Sequence, residues 1–290
     1  MGDIWTPLMS RTRPHRRPLK ANFHQKLNTI MLFKTKTLKG YKLDSLDGEF
    51  GKVQEFLFDD HHWSIRYLVA NTGNWLTGRQ VLISPYALVA AIKAEEHIAV
   101  DLTKKQIEGS PLLSSDKPVS RQFEESYYGY YGWPRYWQES KPLGLSPIFG
   151  IISSAAPEVE SGPRPSPIQT EWNPHLRSTD AVQGHSIQAL DGEIGHVEDF
   201  IIDDETWAIR YLVVDTRNWW PGKKVLVSPQ WIERVSWSES KVFVNLSRDA
   251  IKQSPEYTEE SLLTRDYEAR LHQHYQRECY WSEESAGKSR

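Results

Sequence analysis

A mainly β fold is predicted: two tandem small antiparallel β-barrels, each with short appended helices. Three observations lead there. The chain repeats itself at an offset of 144 residues, "LDGEFGKVQEFLFDDHHWSIRYLVANTGNW" (Leu46 to Trp75) lying over "LDGEIGHVEDFIIDDETWAIRYLVVDTRNW" (Leu190 to Trp219). From Lys36 to Trp137, 35 of 102 positions are identical in that one register, with no insertion or deletion. A period this long indicates a duplicated domain rather than short solenoid units. Within each copy the apolar residues mostly alternate, in short runs bounded by turn residues, which is the pattern of antiparallel strands. Several short strands are better protected in a small barrel than in a flat sheet with open edges. Between the copies, residues 138–179 hold seven prolines. That density excludes a regular helix and reads as a linker with polyproline character.

The resulting organisation is a basic tail (1–30), a first barrel with its helix (31–137), the Pro-rich linker (138–179), a second barrel with its helix (180–281) and a polar tail (282–290). In the first copy, "GKVQEFLFDD" is an apolar-rich strand that ends in an Asp pair. "WSIRYLVANT" answers it, with Ile65, Tyr67 and Val69 expected on one face and Arg66, Leu68 and Ala70 on the other. Asp59-Asp60, and Asp203-Asp204 in the second copy, mark the hairpin turn, because Asp side chains cap local backbone donors. "VLISP" and "VLVSP" are short strands stopped by Pro85 and Pro229. A further hairpin is expected in "LVAAIKAEEHIAVDL" and in "IERVSWSESKVFVNL". Thr103 then opens a Thr-x-x-Gln capping box, with Ser247 at the equivalent place. Phe123, Tyr127 and Tyr131, like Tyr267, Leu271 and Tyr275, recur at helical spacing and predict an amphipathic helix at the end of each copy. The linker segment "LSPIFGIISSAA" is apolar enough to dock on one of the domains.

The bulk properties set limits on function. The chain has 290 residues, 39% apolar and 25% charged, with 12 Trp and 13 Tyr to fill small cores. Cys279 is the only cysteine, so no intramolecular disulfide forms, which fits a reducing cytoplasm. No run is long enough to span a bilayer, and no secretory h-region follows the basic N-terminus. A cytoplasmic protein is expected. Net charge is −3. Residues 1–35 carry seven Lys/Arg against Asp3, whereas residues 180–290 carry 13 basic and 20 acidic residues. "RTRPHRRPLK" is either a solvated tail or a polyanion-binding arm. Alternatively, residues 1–30 lie outside the native chain, since Met31 opens a plausible protein start. An acidic pair of domains is a poor match for a phosphate backbone, so nucleic acid is not the expected partner.

The motif "LDGEFGKVQEFLFDD…IRYLVANTGNW…VLISP" and its copy "LDGEIGHVEDFIIDD…IRYLVVDTRNWWPGKKVLVSP" resemble the PRC-barrel family, over about residues 36–137 and 180–281. The resemblance implies a compact, strongly bent β-barrel in each copy. It also implies similarity to the cytoplasmic domain of the photosynthetic reaction-centre H subunit and to the C-terminal domain of the bacterial ribosome maturation factor. Fold analogy of this kind bounds function without fixing it.

The candidate sites divide into barrel positions and contact positions. Asp59, Asp60, Asp203 and Asp204 offer oxygens of the kind a hard cation takes, but two carboxylates are only part of a shell, and turn capping is the expected role. His61-His62 suggests a transition metal. The second copy has Glu205-Thr206 there, and adjacent strand residues point apart, so no metal and no cofactor are expected. Arg66 and Arg210, set among core-facing residues, are expected to pair with an acid such as Glu49 or Glu193. Trp75 and Trp219, shared at one register, are expected to close the barrel ends. The unshared aromatics Tyr128, Tyr130, Trp133 and Trp220 are the expected contacts with a partner, because Tyr and Trp bury much area at little entropic cost. Gly48-Gly51 and Gly192-Gly195 mark turns rather than a phosphate loop. No nucleophile–base arrangement is visible, so no catalysis is expected.

The expectation is therefore a non-catalytic interaction or assembly module. Its barrels pair pseudo-symmetrically inside one chain, or as a homo-oligomer, and meet an unknown protein partner. The alternatives are an RNA- or ribosome-associated factor and a peripheral adaptor of a photosynthetic or respiratory membrane complex. Small-molecule or metal binding is a further reading.

Overall fold

A computed structural model describes residues 31–92, 94–111, 119–138, 175–216, 222–258 and 263–282. Nearly all of the linker lies outside these residues, as do the basic tail, the last eight residues, and Trp219 and Trp220. In the first repeat the strands are β1 (Leu32–Lys34), β2 (Lys42–Ser45), β3 (Gly48–Asp59), β4 (Ser64–Asn71), β5 (Gln80–Ile83), β6 (Leu88–Ile92) and β7 (His97–Val100). The second repeat supplies β8 (Leu176–Ser178), β9 (Ser186–Ala189), β10 (Gly192–Asp203), β11 (Ile209–Asp215), β12 (Lys224–Val227), β13 (Ile232–Ser236) and β14 (Lys241–Val244). The helices are α1 (Thr35–Leu38), α2 (Lys104–Glu108) and α3 (Arg121–Tyr131), followed by α4 (Thr179–Val182), α5 (Arg248–Gln253) and α6 (Arg265–His274).

The protein is mainly β, built on two seven-stranded sheets. One runs β5-β4-β3-β2-β7-β6, the other β12-β11-β10-β9-β14-β13. This corrects the expectation of purely antiparallel barrels. β2 lies parallel to β7, and β9 parallel to β14, so both sheets are mixed, and among the described residues neither strand path closes on itself. The local alternation of residues reveals strands and hairpins, but it carries no information on how β7 returns beside a strand more than fifty residues earlier. The expected hairpins are present: β3–β4 and β6–β7, and likewise β10–β11 and β13–β14.

β3 and β10 organise the sheets. Each is 12 residues long and bends, pairing with one neighbour through its first half and another through its second. Glycine permits the close approach this bend needs. A Cβ on Gly51 would stand 2.4 Å from the Asn71 carbonyl oxygen, and one on Gly195 only 2.0 Å from that of Asp215. Register shifts add curvature, at Val53/Glu55 and Leu57/Phe58 in the first sheet and at Val197/Asp199 and Ile201/Ile202 in the second.

The second shift overturns the expected face assignment of β4. Leu57 stands opposite Tyr67 and Phe58 opposite Ile65, so Arg66 is the extra residue of a bulge. Ile65 therefore joins Leu68 and Ala70 in the main core, while Tyr67 and Val69 pack with the aromatic helix. The strand is buried from Ser64 to Ala70 because both faces are covered. Arg210 occupies the equivalent bulge.

Each sheet holds a strand of the other repeat. β1, which leads the first repeat, pairs antiparallel with the end of β10, Leu32 facing Asp203. β8, which leads the second, pairs with the end of β3, Leu176 facing Asp59. The two β-hairpin turns also meet: Ile65 N–H donates to the Trp207 carbonyl at 2.8 Å, and Ile209 N–H to the Trp63 carbonyl at 2.7 Å. Phe58 stacks on Trp63 and contacts Phe200, joining both repeats in one core. All described residues fall in one compact unit, Met31–Arg290.

The helical signals are borne out with one difference. Thr103 and Gln106 form the full capping box of α2. Ser247 caps α5 through Ala250 N–H alone, because its third position is alanine. α3 and α6 cover the sheets where the Phe/Tyr and Tyr/Leu spacings place them.

Candidate functional site

The bulged arginines and the Asp turns build one arrangement twice. Asp59 accepts the His61 N–H at 2.9 Å through one oxygen and pairs with Arg66 at 3.0 Å through the other. Asp203 accepts the N–H groups of Glu205 and Thr206, at 2.8 and 2.9 Å, and pairs with Arg210 at 2.6 Å. Asp59 and Asp203 thus accept the backbone donors of their own turns. The expected acids for the arginines, Glu49 and Glu193, are replaced by these same aspartates, because the bulge aims each guanidinium back at its own turn. Burial acts to raise the Asp59 carboxyl, but the His62 imidazole, the Arg66 charge and the His61 N–H outweigh it and hold the group below its ordinary range.

Behind each arginine lies a largely buried polar cluster. The Arg66 guanidinium sits 4.1 Å above the Tyr136 ring, and that of Arg210 4.0 Å above Tyr280. Tyr136 and Tyr67 donate to the wholly buried Glu124 at 2.6 and 3.0 Å, and Arg121 pairs with it at 2.9 Å. Tyr280 and Tyr211 donate to Glu268 at 2.9 and 3.0 Å, with Arg265 at 3.2 Å. Burial raises the Glu268 carboxyl against the pull of Tyr280, Arg265, Tyr211 and Arg210. The repeats diverge where Tyr128 of the first is replaced by His272 of the second. His272 Nδ1 lies 2.7 Å from the Glu278 carbonyl, which places the ring proton there, and Nε2, 3.0 Å from the Tyr211 hydroxyl, competes with Glu268 for that hydroxyl's one proton. Burial lowers its pKa against the pull of the Glu278 carbonyl, which favours the neutral ring. With Glu124 and His272 fully buried, the clusters meet solvent only through the outer arginines, Arg121 and Arg265, and act as structural ties between helix and sheet.

The second Asp of each pair, Asp60 and Asp204, ties the repeats together. Asp60 accepts from Arg177 Nε at 3.2 Å and stands 3.1 Å from His175 Nδ1, while its N–H donates to the His175 carbonyl. Asp204 accepts the Met31 N–H at 2.9 Å and donates its own N–H to the Met31 carbonyl. Nearby, the buried Asp199 accepts the Thr35 hydroxyl at 2.6 Å and the Lys36 N–H at 3.2 Å, capping α1 from the opposite repeat. Ser178 donates to Glu55 in the reciprocal place.

Among the expected contact residues, Tyr128 is corrected. It is buried, 3.4 Å from the Ser84 hydroxyl and edge-on to Tyr67, because its position on α3 faces the sheet. Trp133 is half-buried, stacked on Tyr131 at 4.3 Å and on Tyr86 at 5.9 Å. Tyr130 is exposed and donates to the Gln106 carbonyl. Trp75 packs edge-on against Phe50, 6.2 Å away, and with it walls an open depression of about 550 Å³ that also takes in Val53, Asn71 and Thr72. Trp219 and Trp220 lie outside the described residues.

Sequence reasoning missed Trp63 and Trp207. Both adopt the left-handed region (φ 50° and 58°) at the crossing of the repeats, and Trp207 is almost fully buried. Their identity at one register, three residues after the Asp pair, is the available signal.

Residues 184–251 match the family model of the PRC-barrel domain. The second repeat therefore carries a PRC-barrel domain, spanning β9 to α5. No curated protein matches the chain. Among the described residues, no helix is long and apolar enough to cross a membrane.

Proposed function

We propose that the chain is a non-catalytic assembly module in which both repeats are PRC-type units bent toward small barrels. The pair acts as one body and presents its outer face to another protein. The observation that carries this reading is the reciprocal exchange of leading strands, which makes inside one chain the contact that a twofold dimer makes between subunits. The buried carboxylates support it further, since they are consumed by tyrosines and arginines rather than aimed at a cleft. The face for a partner is centred on exposed Tyr130 and half-buried Trp133.

The test is affinity purification of the full chain from its native cells, beside a Tyr130→Ala/Trp133→Ala variant. A protein complex recovered with the native chain and lost with the variant is the expected result. Recovery of ribosomal particles instead would favour the RNA-associated alternative, and recovery of an integral membrane complex the adaptor alternative. If nothing is retained specifically, the assembly role fails.

A further inference from the structure

The crossing of the repeats is not symmetric in its chemistry. On one side, Asp60 and His61 close the β3–β4 turn, and His175 enters from just before β8, so three metal-type ligands come together from both repeats. The ligand atoms of Asp60, His61 and His175 all lie within 4.8 Å of one another, and the two imidazole rings are 3.8 Å apart. On the other side, the positions are held by Asp204, Glu205 and Met31, with no imidazole.

We propose that Asp60, His61 and His175 bind one divalent transition-metal ion of the zinc class, clamping the leading strand of the second repeat onto the turn of the first. Imidazole nitrogen with carboxylate oxygen is the donor set such an ion takes, with a fourth position left for water. Donor atoms at about 2.0–2.2 Å from a tetrahedral ion stand roughly 3.3–3.6 Å apart. Ligation therefore requires the exposed His61 side chain to rotate and His175 to shift slightly, from ligand atoms that already lie within 4.8 Å of one another. Adjacent residues in the turn point apart: His62, itself exposed, pairs with Asp59 at 2.9 Å, while the His61 ring lies against that of His175. Asp60 is already oriented, one oxygen being held by Arg177 Nε at 3.2 Å, and Arg177 itself lies 4.2 Å above the Trp237 ring. That leaves the other oxygen, now beside His175 Nδ1, for the ion. An orienting partner of this kind is the usual support of a ligating carboxylate. The Arg177 charge opposes a cation, so moderate affinity is expected, suited to an ion that strengthens an existing junction rather than one that nucleates the fold.

The experiment is calorimetric titration of the untagged full chain with zinc alone. One ion per chain is expected. His61→Ala and His175→Ala should each weaken binding roughly tenfold or more, since even removal of a supporting partner costs that much. His97→Ala, which alters a separate His–Asp pair, should leave it unchanged. Because His61 is exposed, His61→Ala is expected to keep the thermal midpoint of the metal-free protein. Zinc should also slow amide exchange at Asp60, whose N–H bonds the His175 carbonyl. Absence of binding at micromolar zinc overturns the proposal. So does binding that survives loss of both histidines.

Discussion

At the scale of single residues, the bulged arginine decides how the first hairpin is held. Arg66 is 3% exposed and Asp59 5% exposed, so the pair has left water almost entirely. Such a pair adds little over an apolar replacement, but removing one partner leaves a buried charge and costs about 3–5 kcal/mol. Arg66→Met is expected to destabilise by that amount at neutral pH, read as a lower denaturant midpoint. Asp59→Asn/Arg66→Met should recover part of the loss. The pH dependence has a definite sign. Because the Asp59 carboxyl is held below its ordinary range, its contribution is fully present above the unfolded carboxylate value, and is lost as pH falls through the lowered one. In Arg66→Met that opposing charge is gone and the carboxyl takes up its proton at higher pH. The gap between variant and parent should therefore narrow as the solution is acidified through the carboxylate range. A gap constant from neutral pH to well below that range would contradict the assignment.

At the scale of elements, local pattern revealed the strands, and non-local geometry decided their partners. The alternation of β3 and β4, the Asp turns and the Thr103 capping box were all legible, because each rests on residues a few positions apart. Three features were not. The pairing of Leu32 with Asp203 spans more than half the chain. The bulge at Arg66 breaks period two at a residue that looks like part of the alternation. The approach of His175 to His61 depends on where a Pro-rich connection delivers the chain. Tyr128 is misleading for a related reason: lacking an aromatic counterpart of its own kind, it reads as a feature added to the outside, whereas its counterpart His272 fills the same buried position by other chemistry. The exchanged strand β1 gives a direct test. Phe33, almost fully buried, stands opposite Ile202 of the second repeat. Phe33→Ala is expected to cost about 3–5 kcal/mol, and amide exchange should quicken at Ile201 to Asp203, although the substitution lies in the other repeat. Quickening confined to the first repeat would mean that β1 contributes nothing to the second sheet.

At the scale of the whole molecule, the exchange makes each repeat incomplete by itself. A fragment of residues 175–282 retains β9 to β14 but loses β1, leaving the end of β10 as an open edge. Its own leading strand, β8, is the counterpart of the missing one and in the full chain lies on the other repeat. Two copies can each supply β8 to the other's β10, restoring the pairing as a twofold dimer. The same holds for residues 31–138, with β1 placed on the β3 of a second copy. The side chains set the order of stability. In the 31–138 dimer the strand brings Phe33 to a site beside Phe58, an apolar match. In the 175–282 dimer it brings Arg177 to the site beside Ile202 that Phe33 fills in the full chain. The first fragment should therefore dimerise more tightly than the second, and Arg177→Phe should strengthen the second. Light scattering across a dilution series measures both. Folded monomers of either fragment, with Ile201–Asp203 or Leu57–Asp59 still protected from exchange, would show that the repeats are self-sufficient and that the exchanged strands are an accessory.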